Sequence, residues 1–224
     1  MQKLSDEITR VRGTEPRRRL WPGRMVSTLS LLMLIGALIW FNREALLGYA
    51  AKQWIVSDHI RPADAVAVLG GGIGSRPFAA AEDYRKGLTR KILVANVTIT
   101  EVEALGVLPS HTAINRAVLI KLGVPEVDIE TFGSEMSTTY EEADALRDWA
   151  IRTHARSIIV PTEIFPSRRV RWMLTQALAG TGTEIQIQAL DQPAYNHANW
   201  WKTHDGFIGF QNEVIKYLYY RYRY

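Results

Sequence analysis

Cysteine is absent from the 224 residues of this chain. The chain therefore cannot form a disulfide framework, a thiolate zinc site or a cysteine nucleophile. Its five histidines are scattered without ligand-like spacing, so we predict no metal site. Because cysteine-free proteins occur on either side of a membrane, the missing cysteine does not fix the compartment.

Several nucleotide-binding and acyl-transfer motifs are also missing. A G-x-G-x-x-G fingerprint that begins at Gly70 would need a third glycine where Ser75 stands, and the register that begins at Gly72 meets Pro77. The second predicted strand ends at Val97 without the acidic residue that binds a ribose. A Walker loop and a G-x-S-x-G elbow are absent as well. No cofactor is therefore predicted.

A long apolar stretch without charge covers residues 25–41, between Arg24 and Arg43. Its length is at the lower end of the roughly 17–25 residues that cross a bilayer. Trp21 and Trp40 suit the two interfaces. The alternatives are a buried core helix or a cleaved signal peptide, but the stretch is apolar all round and bulky residues replace a cleavage site. We predict an uncleaved single-pass transmembrane anchor.

Basic residues dominate residues 1–24, in a chain whose formal net charge is +4. By the positive-inside rule this tail is cytoplasmic, and the rest of the chain lies beyond the membrane. The predicted location is the cytoplasmic (inner) membrane, with the main domain periplasmic or otherwise extracytoplasmic. Residues 42–61 are predicted to form an amphipathic linker helix, and residues 62–224 a globular domain.

Short apolar runs alternate with helical patterns through this domain. The strand candidates are residues 65–69, 91–97, 127–132, 157–162 and 184–190. Helices are predicted between them, and Asp205 is expected to cap a last helix. This alternation predicts an α/β fold with an open, mainly parallel sheet, right-handed crossovers and helices on both faces. Ligands of such sheets bind beyond the carboxyl ends of the strands.

The glycine-rich stretch after the first strand is the strongest indication of a ligand. Gly70, Gly71 and Gly72 allow a sharp turn and a close approach of the backbone, and Arg76 begins the next helix. Backbone amides and the helix dipole meet at such a junction, which favours an anion. A tight turn that binds nothing is the alternative.

Polar residues also follow the third and fourth strands. Thr138 and Glu141 match a capping box, and together with Ser137 they could also face a ligand. Thr162 ends the fourth strand, and three arginines crowd the next helix start, where cations are unfavourable. These are Arg168, Arg169 and Arg171. They indicate either a bound anion or carboxylates from another segment.

The predicted site therefore combines these loops. The ligand-binding candidates are Gly70, Gly71, Gly72, Arg76, Ser137, Thr138, Thr162 and Arg169. Glu141 is the one carboxylate that we predict as a catalytic base.

In their order and spacing, these motifs resemble the YdcF-like family, the SanA and ElyC group of bacterial envelope proteins. The resemblance covers about residues 64–220. Besides the glycine loop it includes residues 123–125, residues 137–143, Thr162 with Arg169, and Glu213 with Lys216. The resemblance implies a Rossmann-like fold and a role in envelope polysaccharide or peptidoglycan biogenesis. Pro166 departs from the family, which usually has a histidine there.

Two functions remain open, and a third, binding of a nucleotide-type cofactor such as S-adenosylmethionine or NAD, is weakened by the broken fingerprint and the predicted location. The first is binding of an anionic, phosphate-bearing ligand and its hydrolysis or transfer at a lipid-linked phosphate or sugar, with Arg76 and Arg169 stabilising charge. The second is a non-catalytic binding or scaffold protein for envelope enzymes, which the missing histidine favours. The expected partners are the bilayer, through residues 25–41, and the anionic ligand. The aromatic, basic C-terminus is assigned to a packed helix with a membrane-facing edge, and nucleic acid is not a predicted partner.

Overall fold

A computed structural model of the protein describes residues 22–224. The chain divides into two compact units, the first ending at Arg43 and the second comprising residues 44–224. The predicted basic tail, up to residue 21, lies outside the described residues. In the first unit, helix α1 spans Pro22–Phe41, and every side chain from Met25 to Phe41 is exposed.

No single helix within residues 22–224 is both long and apolar enough to qualify as a membrane span. The bent pair Met25–Phe41 and Arg43–Trp54 qualifies when its two helices are taken together, by length and composition.

Five parallel strands form the sheet of the second unit. They are β1 (Ala65–Val68), β2 (Ile92–Val97), β3 (Ile129–Met136), β4 (Ser157–Glu163) and β5 (Glu184–Leu190). Their order is β3-β2-β1-β4-β5, and every pairing between neighbours is parallel. The order reverses at β1, which makes the ends of β1 and β4 the switch point of a Rossmann-like sheet.

After α1, one helix precedes the first strand and the others follow the strands along the chain. They are α2 (Arg43–Trp54), α3 (Arg76–Arg85), α4 (Glu101–Ala104), α5 (His111–Lys121), α6 (Thr139–Thr153), α7 (Ser167–Ala177) and α8 (His204–Arg223). Two short 3₁₀ turns cover Glu126–Asp128 and Trp200–Lys202.

Helices cover both faces of the sheet. The side chains of a strand point alternately to the two faces, and in β1 all of them are apolar. Val66 and Val68 of β1 pack with α3 and α5, through Ala80 and Leu119. Ala65, Ala67 and Leu69 belong to the larger core of the opposite face, which α6 and α7 cover. The predicted α/β fold, with a parallel sheet and helices on both faces, is therefore confirmed.

The linker helix predicted over residues 42–61 is shorter in the structure. α2 ends at Trp54, and residues 55–61 run beside the outer edge of β5. Asp58 explains this change, because its N–H donates to Ile187 O at 2.8 Å and its carboxylate accepts from Ile187 N–H at 2.6 Å. α2 itself packs through the buried Ala51 against Phe165 and Trp200. The segment is thus part of the α/β domain.

Two further boundaries differ from the prediction. The third strand begins at Ile129, because Val127 lies in an exposed 3₁₀ turn, and it continues to Met136. The last helix is capped by Thr203, whose hydroxyl accepts from Gly206 N–H, whereas Asp205 was expected. The capping box of Thr138 and Glu141 is confirmed.

Candidate functional site

A polar cavity of about 370 Å³ lies at the carboxyl edge of the sheet, beyond the ends of β1, β2 and β3. It is lined by Gly70, Gly71, Val97, Thr98, His111, Met136, Ser137, Thr138, Thr139 and Glu142. The first residues of α5 and α6, His111 and Thr139, are both among these. Two helix N-termini with their partial positive charge therefore meet at the cavity.

A larger cavity of about 510 Å³ lies at the other end of the sheet, between the ends of α6 and α7 and the residues that precede β4 and β5. Open parallel sheets bind their ligands at the carboxyl edge. The smaller cavity is therefore the candidate site.

Gly70 is the point at which the glycine loop meets α6. Its N–H donates to the Glu142 carboxylate at 2.5 Å. A Cβ at this position would lie 2.5 Å from Val97 Cγ1 and 2.8 Å from Glu142 Oε1, closer than side chains tolerate. Glycine is therefore required here by close packing, which leaves the amide free to reach the carboxylate.

Glu142 is the buried carboxylate of the cavity. It lies on the inner face of α6 with Leu146, Trp149 and Ala150, and only 6% of it is exposed. Burial raises the pKa of Glu142, and the Gly70 N–H and the charges of Arg76 and Arg169 oppose this rise only in part. Glu142 therefore holds a proton at a higher pH than an ordinary glutamate, as a general acid requires.

Glu141, the predicted base, has the opposite environment. It is exposed and accepts from the N–H groups of Ser137 at 2.6 Å and Thr138 at 3.1 Å. The hydrogen bonds from Ser137, and then those from Thr138, lower the pKa of Glu141. The residue caps α6 and is not among the cavity-lining residues. A catalytic role for Glu141 stays a prediction. The neighbouring Glu142 has the burial and the raised pKa that suit a proton-transferring group.

Arg76 joins the glycine loop to β4. Its guanidinium binds the Glu163 carboxylate, at 2.5 Å from Nη2 to Oε2, and donates from Nη1 to Gly70 O at 2.5 Å. Burial alone would raise the pKa of Glu163, but the Arg76 charge and the Ser75 hydroxyl outweigh it and lower the pKa. This pair occupies the switch point between β1 and β4, and the cavity lies to one side, towards β2 and β3.

Gly72 is packed against the same ion pair. Its φ is +56°, and a Cβ there would collide with the Glu163 carboxylate and the Arg76 side chain. Glycine at position 72 therefore allows the loop to pack against the ion pair. Gly71 lines the cavity instead, and no atom lies within 4 Å of its Cβ position.

The three arginines at the start of α7 bind groups from other segments. Arg169 forms a buried bidentate pair with Glu213, at 2.8 and 3.1 Å, and donates to Thr139 Oγ1 at 2.8 Å. Arg171 pairs with Asp58, and Arg168 donates to backbone carbonyls at the end of α2. Of the two predicted explanations, carboxylates from another segment account for Arg169 and Arg171.

Thr162 is fully buried at the end of β4. Its Oγ1 has no hydrogen-bond partner within residues 22–224, and the residue does not line the cavity. The structure thus brings four of the predicted ligand-binding residues to the cavity: Gly70, Gly71, Ser137 and Thr138. Gly72, Arg76, Thr162 and Arg169 lie behind it or beside it.

Sequence reasoning missed Glu142, Thr139 and His111. Glu142 carries a signal, because it precedes Leu146 by four residues and Trp149 by seven and therefore shares the apolar face of α6. A glutamate on a buried face needs a partner or a function. His111 and Thr139 carry no comparable signal. Among residues 22–224 no group of three metal-ligating side chains is found.

The chain matches no protein-family model and no curated protein. Among solved structures, it is similar to a universal stress protein in complex with cAMP, with 14% sequence identity and a TM-score of 0.38. The alignment covers 57% of this chain and 97% of that protein. A TM-score at this level carries neither a ligand nor a function to this chain.

Proposed function

We propose that the carboxyl-edge cavity binds a small anionic, phosphate-bearing ligand and that Glu142 is the proton-transferring group of a hydrolase or transferase. The observation that carries the proposal is the Glu142 carboxylate, which is buried, raised in pKa and part of the cavity wall. Perturbed carboxylates in clefts mark candidate active sites.

The preference for an anion comes from the positive end of two helices. α5 begins at His111 and α6 at Thr139, and both residues line the cavity. The Thr138 hydroxyl accepts from Glu141 N–H and keeps its own proton to donate to a phosphate oxygen. The hydroxyls of Ser137 and Thr98 donate to Glu141 and to Glu135 O, and their oxygens can accept from sugar hydroxyls. A protonated Glu142 adds no negative charge to this field. The lining therefore favours a phosphorylated or polyhydroxylated ligand.

Glu142 would act as a general acid. Its proton would pass to the oxygen of the leaving group as the bond to phosphorus or to a sugar carbon breaks. The attacking water or acceptor hydroxyl would lose a proton, which restores the acid. In this proposal Arg76 and Arg169 hold the loops and bias the Glu142 charge. The anion competes with the Glu141 carboxylate for the N–H groups of Ser137 and Thr138, and with Glu103 for the N–H of His111.

The proposed cellular setting is the bacterial envelope. The resemblance to the YdcF-like family supports it, as does the uncharged part of α1, Met25–Phe41, which is exposed throughout and corresponds to about 26 Å of helix. We propose that α1 anchors the chain in the cytoplasmic membrane, with the N-terminus in the cytoplasm and the α/β domain outside. The phosphate-bearing ligand would then be an intermediate of cell-wall or envelope polysaccharide metabolism.

A non-catalytic binding or scaffold protein is the second candidate. One observation favours it: Arg76 and Arg169 are both paired with carboxylates, which leaves neither guanidinium free to stabilise a transition state. Pro166, which replaces the histidine of the resembling family, adjoins α7 as its N-cap. Under this proposal the cavity binds its ligand without turnover.

The experiment compares Glu142→Gln with Glu141→Gln in the full chain, purified in detergent. Thermal shifts are recorded with inorganic phosphate, pyrophosphate, a nucleotide sugar and undecaprenyl phosphate, and phosphate release is assayed with undecaprenyl pyrophosphate and pyrophosphate. A ligand at 100 times its Kd stabilises the folded state by about 2.7 kcal/mol.

We expect Glu142→Gln to keep the ligand-induced shift and to lose turnover by about 100-fold or more. Loss of turnover in Glu141→Gln alone would instead make Glu141 the base. A wild-type thermal shift with no turnover of any probe would favour the binding protein. The absence of any shift would remove the proposed anion site.

A further inference from the structure

Helix α8 has an inner face that ties it to the rest of the domain. Glu213 on this face is buried and holds Arg169, which in turn donates to Thr139 at the cavity. Phe210 and Tyr217 pack edge-on against Trp54 of α2. The inner face is therefore fixed by both a buried ion pair and aromatic contacts.

The outer face of α8 is also apolar, and it is exposed. Ile208, Ile215, Leu218, Tyr219 and Tyr222 recur at helical spacing opposite Glu213 and form what we name the outer stripe. The last four of these are between 58% and 92% exposed, and Ile208 is 40% exposed. A helix that is apolar on both faces is normally covered on both. Within residues 44–224, nothing covers the outer stripe.

From Gln211 onwards the charged residues beside the outer stripe have one sign, whereas the exposed Asp205 precedes Ile208 at the start of α8. The exposed charged side chains of this part are Lys216, which pairs with the buried Glu213 at 3.1 Å, and Arg221 and Arg223. The guanidinium of Arg221 lies over the Trp172 ring. Two copies of this face would therefore bring like charges together. An anionic surface is the complement that the charges select.

The side chains of the outer stripe also suit the boundary between lipid and water. Tyrosine places an apolar ring below its hydroxyl, and lysine and arginine extend their charged ends towards headgroups. Apolar residues on one side with basic residues at the border are typical of helices that lie in the plane of a membrane interface.

We propose that the outer stripe of α8 lies on the surface of a bilayer that contains anionic lipids. The inference rests on the proposed membrane attachment of the chain and adds a second contact to the anchor. Arg221 and Arg223 bind the headgroups, and Ile215, Leu218 and the tyrosines enter the interface.

The absence of cysteine from the chain makes a direct test possible. Ile215→Cys in the full chain is labelled with a polarity-sensitive fluorophore and mixed with vesicles of phosphatidylcholine, with and without phosphatidylglycerol. Val127→Cys is the matched control, because Val127 is 84% exposed in a 3₁₀ turn far along the chain from α8. Integral attachment is measured separately, as the fraction that stays with the vesicles after alkaline extraction.

We expect the label at position 215 to shift to the blue with phosphatidylglycerol vesicles, less so with phosphatidylcholine alone, and not at position 127. High salt, or Arg221→Gln with Arg223→Gln, should reduce the shift. A label at position 215 that behaves like the control with anionic vesicles overturns the proposal, as does a shift that follows protein concentration and ignores lipid charge, which would indicate a second copy.

The two proposals fail in different ways. Alkali-resistant attachment without a blue shift at position 215 leaves the anchor and removes the docking of α8. A blue shift without alkali-resistant attachment leaves the docking and removes the anchor.

Discussion

Glu141 and Glu142 are adjacent glutamates at the start of α6 with opposite chemistry. Glu141 faces outward and gains three hydrogen bonds from Ser137 and Thr138, so its ionised form is favoured. Glu142 faces the core of the sheet, where burial favours the protonated form. One step along a helix rotates a side chain by about a quarter turn, which is enough to separate a cap from a candidate acid.

The capping role of Glu141 was predictable from sequence, because a threonine followed three residues later by a glutamate satisfies a helix start locally. The hydrogen bond between Gly70 and Glu142 was not predictable in this way. Gly70 precedes Glu142 by 72 residues, and only the packing of β1 against α6 brings them together. The burial of Glu142 was nevertheless predictable, since Glu142 shares the helical spacing of Leu146 and Trp149.

At the residue scale we expect Gly70→Ala to destabilise the domain by about 1–3 kcal/mol. The added methyl group would overlap Val97 and push the Glu142 carboxylate away from the Gly70 N–H. Gly74→Ala is the control within the same loop, because no atom lies within 4 Å of its Cβ position. We expect that variant to change the free energy of unfolding by less than about 1 kcal/mol. Chemical denaturation in detergent measures both, and equal effects would contradict the proposed close packing.

At the scale of elements, distant ion pairs fix the loops around the cavity. Arg76 and Glu163 connect the start of α3 to the end of β4 across 87 residues, and Arg169 and Glu213 connect α7 to α8 across 44. The strands themselves were predictable, because each is a short apolar run between turn residues. The two ion pairs were not predictable, because an arginine at a helix start gives no indication of which later carboxylate it contacts.

Contacts between distant segments also explain why α2 and β3 differ from their predicted bounds. The helical apolar pattern ends at Ile55, and Asp58 in the following segment bonds to the backbone of β5, a contact that local sequence does not encode. β3 continues past Phe132 through polar residues because Val97 of β2 pairs with Met136 after a register shift. In both cases a neighbouring strand overrides local preference.

We expect Glu163→Gln to destabilise the fold by about 3–5 kcal/mol, because it leaves the buried Arg76 without a charged partner. The comparison is Glu184→Gln, which breaks the exposed pair with Arg61, in which both side chains are more than half exposed. That change is expected to stay within about 1 kcal/mol. Denaturation midpoints at constant slope measure the two values. A small effect of Glu163→Gln would mean that Arg76 reaches solvent or an acceptor other than Glu163 and Gly70 O.

At the scale of the whole molecule, the sheet order determines where a ligand has room. The alternation of strands and helices was sufficient to predict a parallel sheet whose carboxyl edge carries the site. The switch point itself is filled by the Arg76–Glu163 pair. The cavity is therefore displaced towards β2 and β3, a consequence of side-chain packing that neither spacing nor composition reveals.

Two groups of carboxylates give the whole domain opposing responses to pH. The pKa of Glu142 and that of Asp83 are raised, above all by burial, and Asp83 Oδ2 and Gln188 Oε1 lack partners within residues 22–224. A proton on Asp83 would supply the missing donor, since Gln188 already donates to Asp83 Oδ1 at 3.3 Å. The pKa of Glu163 and that of Glu141 are lowered instead.

The sign of each contribution follows from proton linkage. Glu142 and Asp83 stabilise the fold fully below their ordinary pKa values of 4.5 and 3.8, and this stabilisation is lost as the pH rises through their higher folded values. Glu163 and Glu141 stabilise it above 4.5 and lose that effect as the pH falls through their lower folded values. Stability should therefore pass through a maximum in weakly acidic solution.

We expect Glu142→Gln combined with Asp83→Asn to flatten the loss of stability on the alkaline side of this maximum, because each amide keeps the shape of the protonated acid without a proton to lose. The acid side should persist, since Glu163 and Glu141 are unchanged. The free energy of unfolding of both chains, measured by denaturant titration from acidic to neutral pH, checks this. A double variant whose alkaline limb matches the wild type would mean that neither buried acid holds its proton in the folded state, and Glu142 would then be no candidate for a general acid.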